Sequence, residues 1–515
     1  MNRPKSPPLR RLPGLKKLRP LLLLLGLLSL YCCRHEPTRQ IFAQLRTVED
    51  VQRMGKALVW PPWQLLRSYV SVEDDVHLYF EYTRVILGED PDAAYIASWQ
   101  ATNDPRYVRQ LHRGLTHKSG LRLPYRDVPI VLPPVALAVM LLPRLLTDTL
   151  AGYRIGFAVL MAALHLGALY GAWRLLRRLR SQPGTALASP SLSQADPQAF
   201  LFRAALATAC LGPLLVGRYD ALPSLFVVLA LLQLTRGRAL QSALLLLLGA
   251  GSKLFPLFLV PIWAAILLGQ GRSQRRSLLS FLFPFALLAG VALWGLALRG
   301  KTPDVLLGAL LLFGKRPIQI ESLAGSLLRC LGSGLVFSYG SDNVQLSRFL
   351  WLPQAVDAVN VLLSLGLSVA AWLGSRRLPP ADPVLLGRYL CHFTVAGLLL
   401  LIVSSKLLSP QYLVWVLPLL ILLPSVAIDP TDSGTSAAQR TFGLYCLALG
   451  MTQVYFPFLF ALVAQGVPVL LAWVLLRNLI LLAALLSLLR PTAWLWPRLR
   501  PVQPSATTLA PLLPR

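Results

Sequence analysis

Acidic residues crowd one short stretch, Glu73-Asp74-Asp75, which runs directly into Val76-His77-Leu78-Tyr79-Phe80-Glu81. Asp75 and Tyr79 stand four positions apart and share a face if the segment is helical. A carboxylate so placed can take a proton from an acceptor hydroxyl, the task of a general base. A solvated acidic helix face is the competing reading. Asp90-Pro91-Asp92 resembles a metal-holding D-x-D in letters, but Pro91 and Asp92 suit a turn better, and no metal site is expected there. Downstream, Arg218 in Gly217-Arg218-Tyr219-Asp220, Lys253 and Lys406 offer cationic donors of the kind a lipid phosphate needs. Such residues also serve simply as anchors at a membrane interface.

The elements that must carry these residues are apolar. Of 515 residues, 55% are hydrophobic and 14% charged, whereas soluble domains carry roughly a quarter charged. The mean hydropathy is +0.58. This balance excludes an ordinary soluble enzyme, and several stretches approach the ~20 residues that cross a bilayer. The excess of 50 Lys+Arg over 22 Asp+Glu comes without finger spacing or an aromatic-interleaved basic domain, so no nucleic acid is expected as a partner. A P-loop and a GxGxxG after a strand are absent, which argues against an ATP-driven pump. Cys32, Cys33, Cys210, Cys330, Cys391 and Cys446 show neither zinc-ligand nor disulfide spacing.

Charge sets the expected topology. Arg3, Lys5, Arg10, Arg11, Lys16, Lys17 and Arg19 precede the first apolar stretch, which favours a cytoplasmic segment 1–17 and an uncleaved anchor. The loop 34–153 holds 13 of the 22 acids and fits the outer face. If 128–146 and 154–173 both crossed, Arg174, Arg177, Arg178 and Arg180 would lie outside, as would later basic clusters. The segment 128–146 is therefore expected to lie at the interface, interrupted by Pro133-Pro134, Pro143 and Arg144. About twelve crossing helices then remain within 18–489: 18–33, 154–173, 199–216, 221–235, 239–252, 254–269, 277–298, 355–373, 389–404, 411–427, 441–462 and 467–489. Pro256 and Pro261 suit a broken hairpin around Lys253, and no matching break is evident in the second half. Arg477, inside the last span, is not expected to face lipid. A second outer loop covers 299–352, and the Pro-rich tail 490–515 is cytoplasmic. The expected fold class is an all-α polytopic membrane protein.

The order of several short motifs carries a resemblance. Asp75-Val76-His77-Leu78-Tyr79, Arg84-Val85-Ile86-Leu87-Gly88, Pro124-Tyr125-Arg126-Asp127 and Leu132-Pro133-Pro134 are followed by Gly217-Arg218-Tyr219-Asp220-Ala221-Leu222-Pro223. Then come Gly251-Ser252-Lys253-Leu254-Phe255-Pro256, Gln319-Ile320-Glu321-Ser322 and Ser409-Pro410-Gln411-Tyr412-Leu413-Val414-Trp415. From about residue 70 to about 420 this series resembles the polyprenol-phosphate-sugar-dependent glycosyltransferases of the GT-C superfamily, in the branch of the bacterial family 87 mannosyltransferases. It departs from them by an insertion, Glu89 to Leu123, and by Val131 where an aromatic is common.

The resemblance implies a GT-C-like fold in the plasma membrane rather than the endoplasmic reticulum. It implies an inverting hexosyltransferase, mannosyltransferase-like, whose donor is a polyprenyl-phosphate sugar and whose acceptor is a glycan or lipid on the outer side. Asp75 would be the catalytic base, and Lys253, Arg218 and Lys406 would bind the donor phosphate. Asp74, His77, Tyr79, Asp220, Glu321, Gln411 and Tyr412 would support them or contact substrate. No cofactor and no metal are implied. The alternative reading is a transporter or flippase of lipid-linked intermediates.

Overall fold

The computed structural model describes residues 75–92, 124, 130, 132–180, 197–299, 314, 316–338, 341–346, 349–379, 382–426, 432–456 and 459–490. The expected first span 18–33, Asp74, most of the insertion after Gly88 and the tail beyond Arg490 lie outside these residues. The described chain is helical apart from one hairpin. In order come α1 (Asp75–Ile86), α2 (Pro134–Leu141), α3 (Leu150–Arg180), α4 (Pro197–Leu211), α5 (Ala221–Thr235), α6 (Ala239–Ser252), α7 (Leu259–Gly269), α8 (Arg275–Arg299) and α9 (Leu323–Cys330). The hairpin β1 (Leu335–Ser338) and β2 (Ser341–Val344) follows. Then come α10 (Leu352–Ser375), α11 (Pro383–Ser404), α12 (Leu417–Leu422), α13 (Asp432–Tyr455), α14 (Phe460–Gln465) and α15 (Pro468–Leu488).

Four helices, α3, α10, α11 and α15, are long and apolar enough to cross a membrane. The outward faces of α10, one of the four, and of the neighbouring α8 fit that setting. Leu279, Phe283, Leu287, Leu288, Val291 and Trp294 on α8, and Val361, Leu362, Leu365 and Val369 on α10, are all about half exposed or more. A soluble monomer rarely shows apolar patches of that extent. By contrast α11 is buried on nearly every side, with Leu390, Cys391, Phe393, Val395, Ala396, Leu398 and Leu399 all sealed. A helix that is apolar all round belongs at the centre of a bundle, and the largest hydrophobic cluster forms about it.

Successive helices alternate in direction, which sorts the bundle into two ends. At one end arginines donate to the last carbonyls of neighbouring helices, groups that a helix cannot satisfy itself. Arg178 Nε and Nη2 reach Thr235 O at 2.9 and 2.8 Å, Arg203 Nε reaches Ile421 O at 2.8 Å, and Arg388 Nε and Nη2 reach Leu179 O at 3.2 and 3.1 Å. The opposite end carries α1, α2, the α4–α5 loop, the C-terminus of α6 and the turn after α11.

Several expectations need correction. The described chain is mostly helical, as an all-α membrane protein should be, but the expected outer loop 299–352 also contains one antiparallel hairpin pairing Leu335 with Val344 and Ser338 with Ser341. Pro133-Pro134 begins α2 instead of interrupting it. Pro133 is its N-cap and Pro134 its first residue, where a missing N–H costs nothing. The break comes at Pro143, in the short 3-10 turn Pro143–Leu145.

Residues 411–427 do not form one span either. They divide into a 3-10 turn Pro410–Val414, the six-residue α12 and a second 3-10 turn Leu423–Ser425, because Pro410, Pro418 and Pro424 each fall in a first turn. This is the second-half counterpart of the break at Phe255–Phe258 before α7, a partner not evident from the sequence. The segment 441–462 ends as a helix at Tyr455 and resumes as α14. Arg174 to Arg180 lie in the last turns of α3 itself, whose 31 residues reach about 46 Å.

The eight residues of α2 reach only about 12 Å, so a cysteine at exposed Thr149 should react from the same side as the acidic end. The background should lack exposed Cys330. Labelling from the opposite side would mean that 128–146 crosses.

Candidate functional site

Asp75 opens α1, where the helix N-terminus favours a carboxylate. Tyr79, one turn on, donates from its hydroxyl to Asp75 Oδ2 at 3.2 Å. The Tyr79 ring is fixed by Phe157 of α3, centroids 5.5 Å apart, and by the edge of Tyr219 at 5.7 Å. Arg218, from the α4–α5 loop, forms an ion pair with Asp75. The Asp75 side chain stays 37% exposed and that of Arg218 20%, so an incoming group can reach both. α1 ends at Ile86, and Gly88, two residues on, takes φ 90°, a left-handed conformation that glycine adopts without strain.

Two residues beyond Arg218, Asp220 is buried and accepts from Lys253 Nζ at 2.6 Å and from Trp415 Nε1 at 2.5 Å. Lys253 follows the last turn of α6, in extended conformation. Its ammonium lies over the rings of Tyr412 at 4.8 Å, Tyr219 at 5.1 Å and Trp415 at 5.3 Å. Trp415 stacks on Phe255 at 4.0 Å and on Tyr412 at 4.1 Å. The cation is therefore held by one carboxylate and an aromatic box. The α4–α5 loop and the broken segment before α12 supply its walls, and Phe255 of the broken segment before α7 backs Trp415.

A third group centres on Glu321. Tyr455 donates its hydroxyl to Glu321 Oε1 at 2.9 Å, Arg477 Nη2 donates to that hydroxyl oxygen at 2.7 Å, and Asn478 Nδ2 donates to Glu321 O at 3.1 Å. Burial pushes the Glu321 carboxyl up to about 7, with Arg477, Tyr455 and Arg218 pulling it back. Arg477 is fully buried, as an ionisable residue within an apolar span should be; its Nε and Nη1 have no hydrogen-bond partner among the described residues.

The raised Glu321 value has a signed consequence. The fold favours the protonated form, so its contribution to stability is complete below the ordinary 4.5 and is lost as pH rises through about 7. Thermal unfolding of the wild type should therefore weaken over that window relative to Glu321→Gln, which cannot titrate. Parallel curves would place the carboxyl in a wetter setting.

The remaining candidates are placed elsewhere. Lys406 does not join Lys253. It is buried and donates to Asp357 Oδ2 at 2.6 Å and Gly314 O at 3.0 Å. Its backbone carbonyl accepts from Gln319 N at 2.9 Å. Gln411 is half-buried beside Tyr412. His77 points away from Asp75, as a two-residue offset on a helix requires, and its Nε2 meets Asp92 Oδ2 at 2.8 Å. His77, Glu81 and Asp92 bring ligand atoms within 4.8 Å of one another. The Glu81 carboxylate already accepts from Arg84 Nη1 at 3.0 and 3.2 Å and from Asp92 N at 3.0 Å. A cation would have to displace that guanidinium.

Comparison with families of known proteins, with curated proteins and with solved structures finds no match. The site therefore rests on its own geometry. Trp415, Tyr455, Arg477, Asn478 and Asp357 are members or partners that the sequence reading did not place at the site. Asp357 had a readable signal, a carboxylate inside an apolar span, which requires a partner. Tyr455 and Asn478 had none, since neither type is unusual near the end of a span.

Proposed function

We propose that the protein is a multi-pass, GT-C-like membrane glycosyltransferase of about twelve spans that moves a hexose, such as mannose, from a polyprenyl-phosphate carrier to an acceptor hydroxyl on the extracytoplasmic side. The observation that carries this reading is the ion pair between Asp75 and Arg218, an accessible carboxylate in direct contact with a phosphate-binding cation. Donor phosphate competes for Arg218 and releases Asp75. The freed carboxylate, oriented by the Tyr79 hydroxyl, takes the acceptor's proton. The acceptor oxygen then bonds to the anomeric carbon while the carbon–oxygen bond to phosphate breaks, and that electron pair leaves on phosphate. Attack opposite the leaving group inverts the centre. Arg218, with Lys253 nearby, stabilises the charge that develops on phosphate. Lys406, engaged by Asp357, is outside this scheme.

The deciding experiment incubates the purified protein with polyprenyl-phosphate sugars and a membrane extract, and reads glycosylated products by mass spectrometry. One observation favours a second reading, a transporter or flippase of lipid-linked intermediates. The two broken segments, one in each half, pack together through Phe255 and Trp415, and paired discontinuous helices are common at transporter sites. Movement of a labelled lipid across reconstituted vesicles without a new covalent product would decide for that reading.

A further inference from the structure

The end of the bundle opposite Asp75 holds a second concentration of charge. Arg174 and Arg178 lie one turn apart on α3. Arg236 and Arg238 flank Gly237, φ +75°, in the tight turn between α5 and α6, and Arg236 lies within electrostatic reach of Arg174, Arg178 and Arg238. Arg178 is tied to this turn by its two bonds to Thr235 O, and Arg174 Nη1 donates to Tyr170 Oη at 2.9 Å. Burial, and then the charges of Arg174, Arg238 and Arg178, lower the Arg236 pKa, as cations brought together without a counterion should. Among the described residues no carboxylate pairs with any of the four.

The surface next to this cluster is apolar. On α3, Leu166 and Tyr170 are exposed by 65% and 60% and continue in one stripe to Arg174. Half-buried Leu225 and Leu229 of α5 face Gly167 and Gly171 of the same helix. On α6, Leu240, Leu244 and Leu248 are each more than 40% exposed. The four guanidinium groups thus stand at the ends of the exposed apolar faces of α3 and α6. Guanidinium groups match phosphate in shape and charge, and those faces match acyl chains.

We propose that Arg174, Arg178, Arg236 and Arg238 bind the phosphate-bearing headgroup of an anionic membrane phospholipid whose acyl chains lie along the exposed faces of α3 and α6. The lipid neutralises a cluster that the described residues leave without a paired carboxylate, and it ties α3 to the α5–α6 turn. This site does not depend on the reaction at the other end.

The test titrates the purified full-length protein in neutral detergent with phosphatidylglycerol or phosphatidylcholine, and counts bound lipid by native mass spectrometry. The wild type should retain phosphatidylglycerol in preference to phosphatidylcholine. Arg236→Gln with Arg238→Gln should weaken that binding about 25-fold, from about fivefold per charge removed. Arg272→Gln with Arg275→Gln, an exposed basic pair at the same end, should leave it unchanged. Equal loss from both pairs would reduce the effect to diffuse surface charge and overturn the site. Equal binding of both lipids would overturn the headgroup assignment, as would full displacement by inorganic phosphate at matched concentration. Unchanged thermal unfolding of both double variants separates lost binding from lost fold.

Discussion

Asp75→Asn should lower sugar transfer about 10²- to 10⁴-fold, the usual range for removing a general base, while leaving the protein folded. Asparagine keeps the size of the side chain and can still meet the Tyr79 hydroxyl, so packing against Phe157 and Tyr219 should persist. What it loses is the negative oxygen that accepts a proton and pairs with Arg218. Tyr79→Phe should cost much less, about fivefold, because it removes one hydrogen bond worth about 1 kcal/mol. His77→Gln should leave turnover unchanged, since His77 pairs with Asp92 on the other side of α1. Turnover measured with one donor and one acceptor for all three variants gives the ranking. A fully active Asp75→Asn enzyme alongside an inactive Asp74→Asn enzyme would move the base by one residue.

Asp220→Ala should cost about 3 to 5 kcal/mol of stability, the range for stripping one partner from a buried ion pair. Asp220 is 1% exposed and is the acceptor for both Lys253 Nζ and Trp415 Nε1. Its removal leaves an ammonium among rings that attract it but cannot replace a carboxylate. Lys253→Met alone should also destabilise, by leaving the carboxylate with Trp415 as its neutral donor. Combining Asp220→Ala with Lys253→Met should recover part of the loss, because no isolated charge remains. Unfolding in detergent, followed for the two single variants and the double, measures the coupling. Simple additivity would mean that the pair is solvated and weak.

The sequence specified the helices far better than their meetings. Ala221–Thr235 and Ala239–Ser252 have the bounds expected from the apolar runs, because Arg236-Gly237-Arg238 interrupts the pattern with charge and a turn-forming glycine. Asp75 and Tyr79 were readable as neighbours, since helical spacing alone brings them together. Their meeting with Arg218 was not, because it depends on how α3 and α5 pack, and no local rule carries that. Proline misled twice. Pro133-Pro134 reads as a disruption but starts a helix, whereas Pro410, Pro418 and Pro424 divide a stretch whose hydropathy reads as continuous. Arg477 could be recognised as facing away from lipid. Its partner Tyr455 could not be identified, because a tyrosine near a span end is common for other reasons.

The bond from Arg388 to Leu179 joins residues 209 positions apart, and that separation is also an interval of time. Ribosomes add about 5 to 20 residues per second, so some 10 to 40 seconds of synthesis pass between the emergence of the carbonyl and that of its donor. Until then the terminus of α3 must borrow a substitute, from water or from lipid headgroups, and the nascent bundle stays open along the side that α11 will fill. Because α11 is the most enclosed of the four membrane-length helices and a late one, the centre of the bundle is expected to fill after its rim. A ribosome paused ahead of residue 388 would hold a chain whose first helices are already inserted around an empty centre.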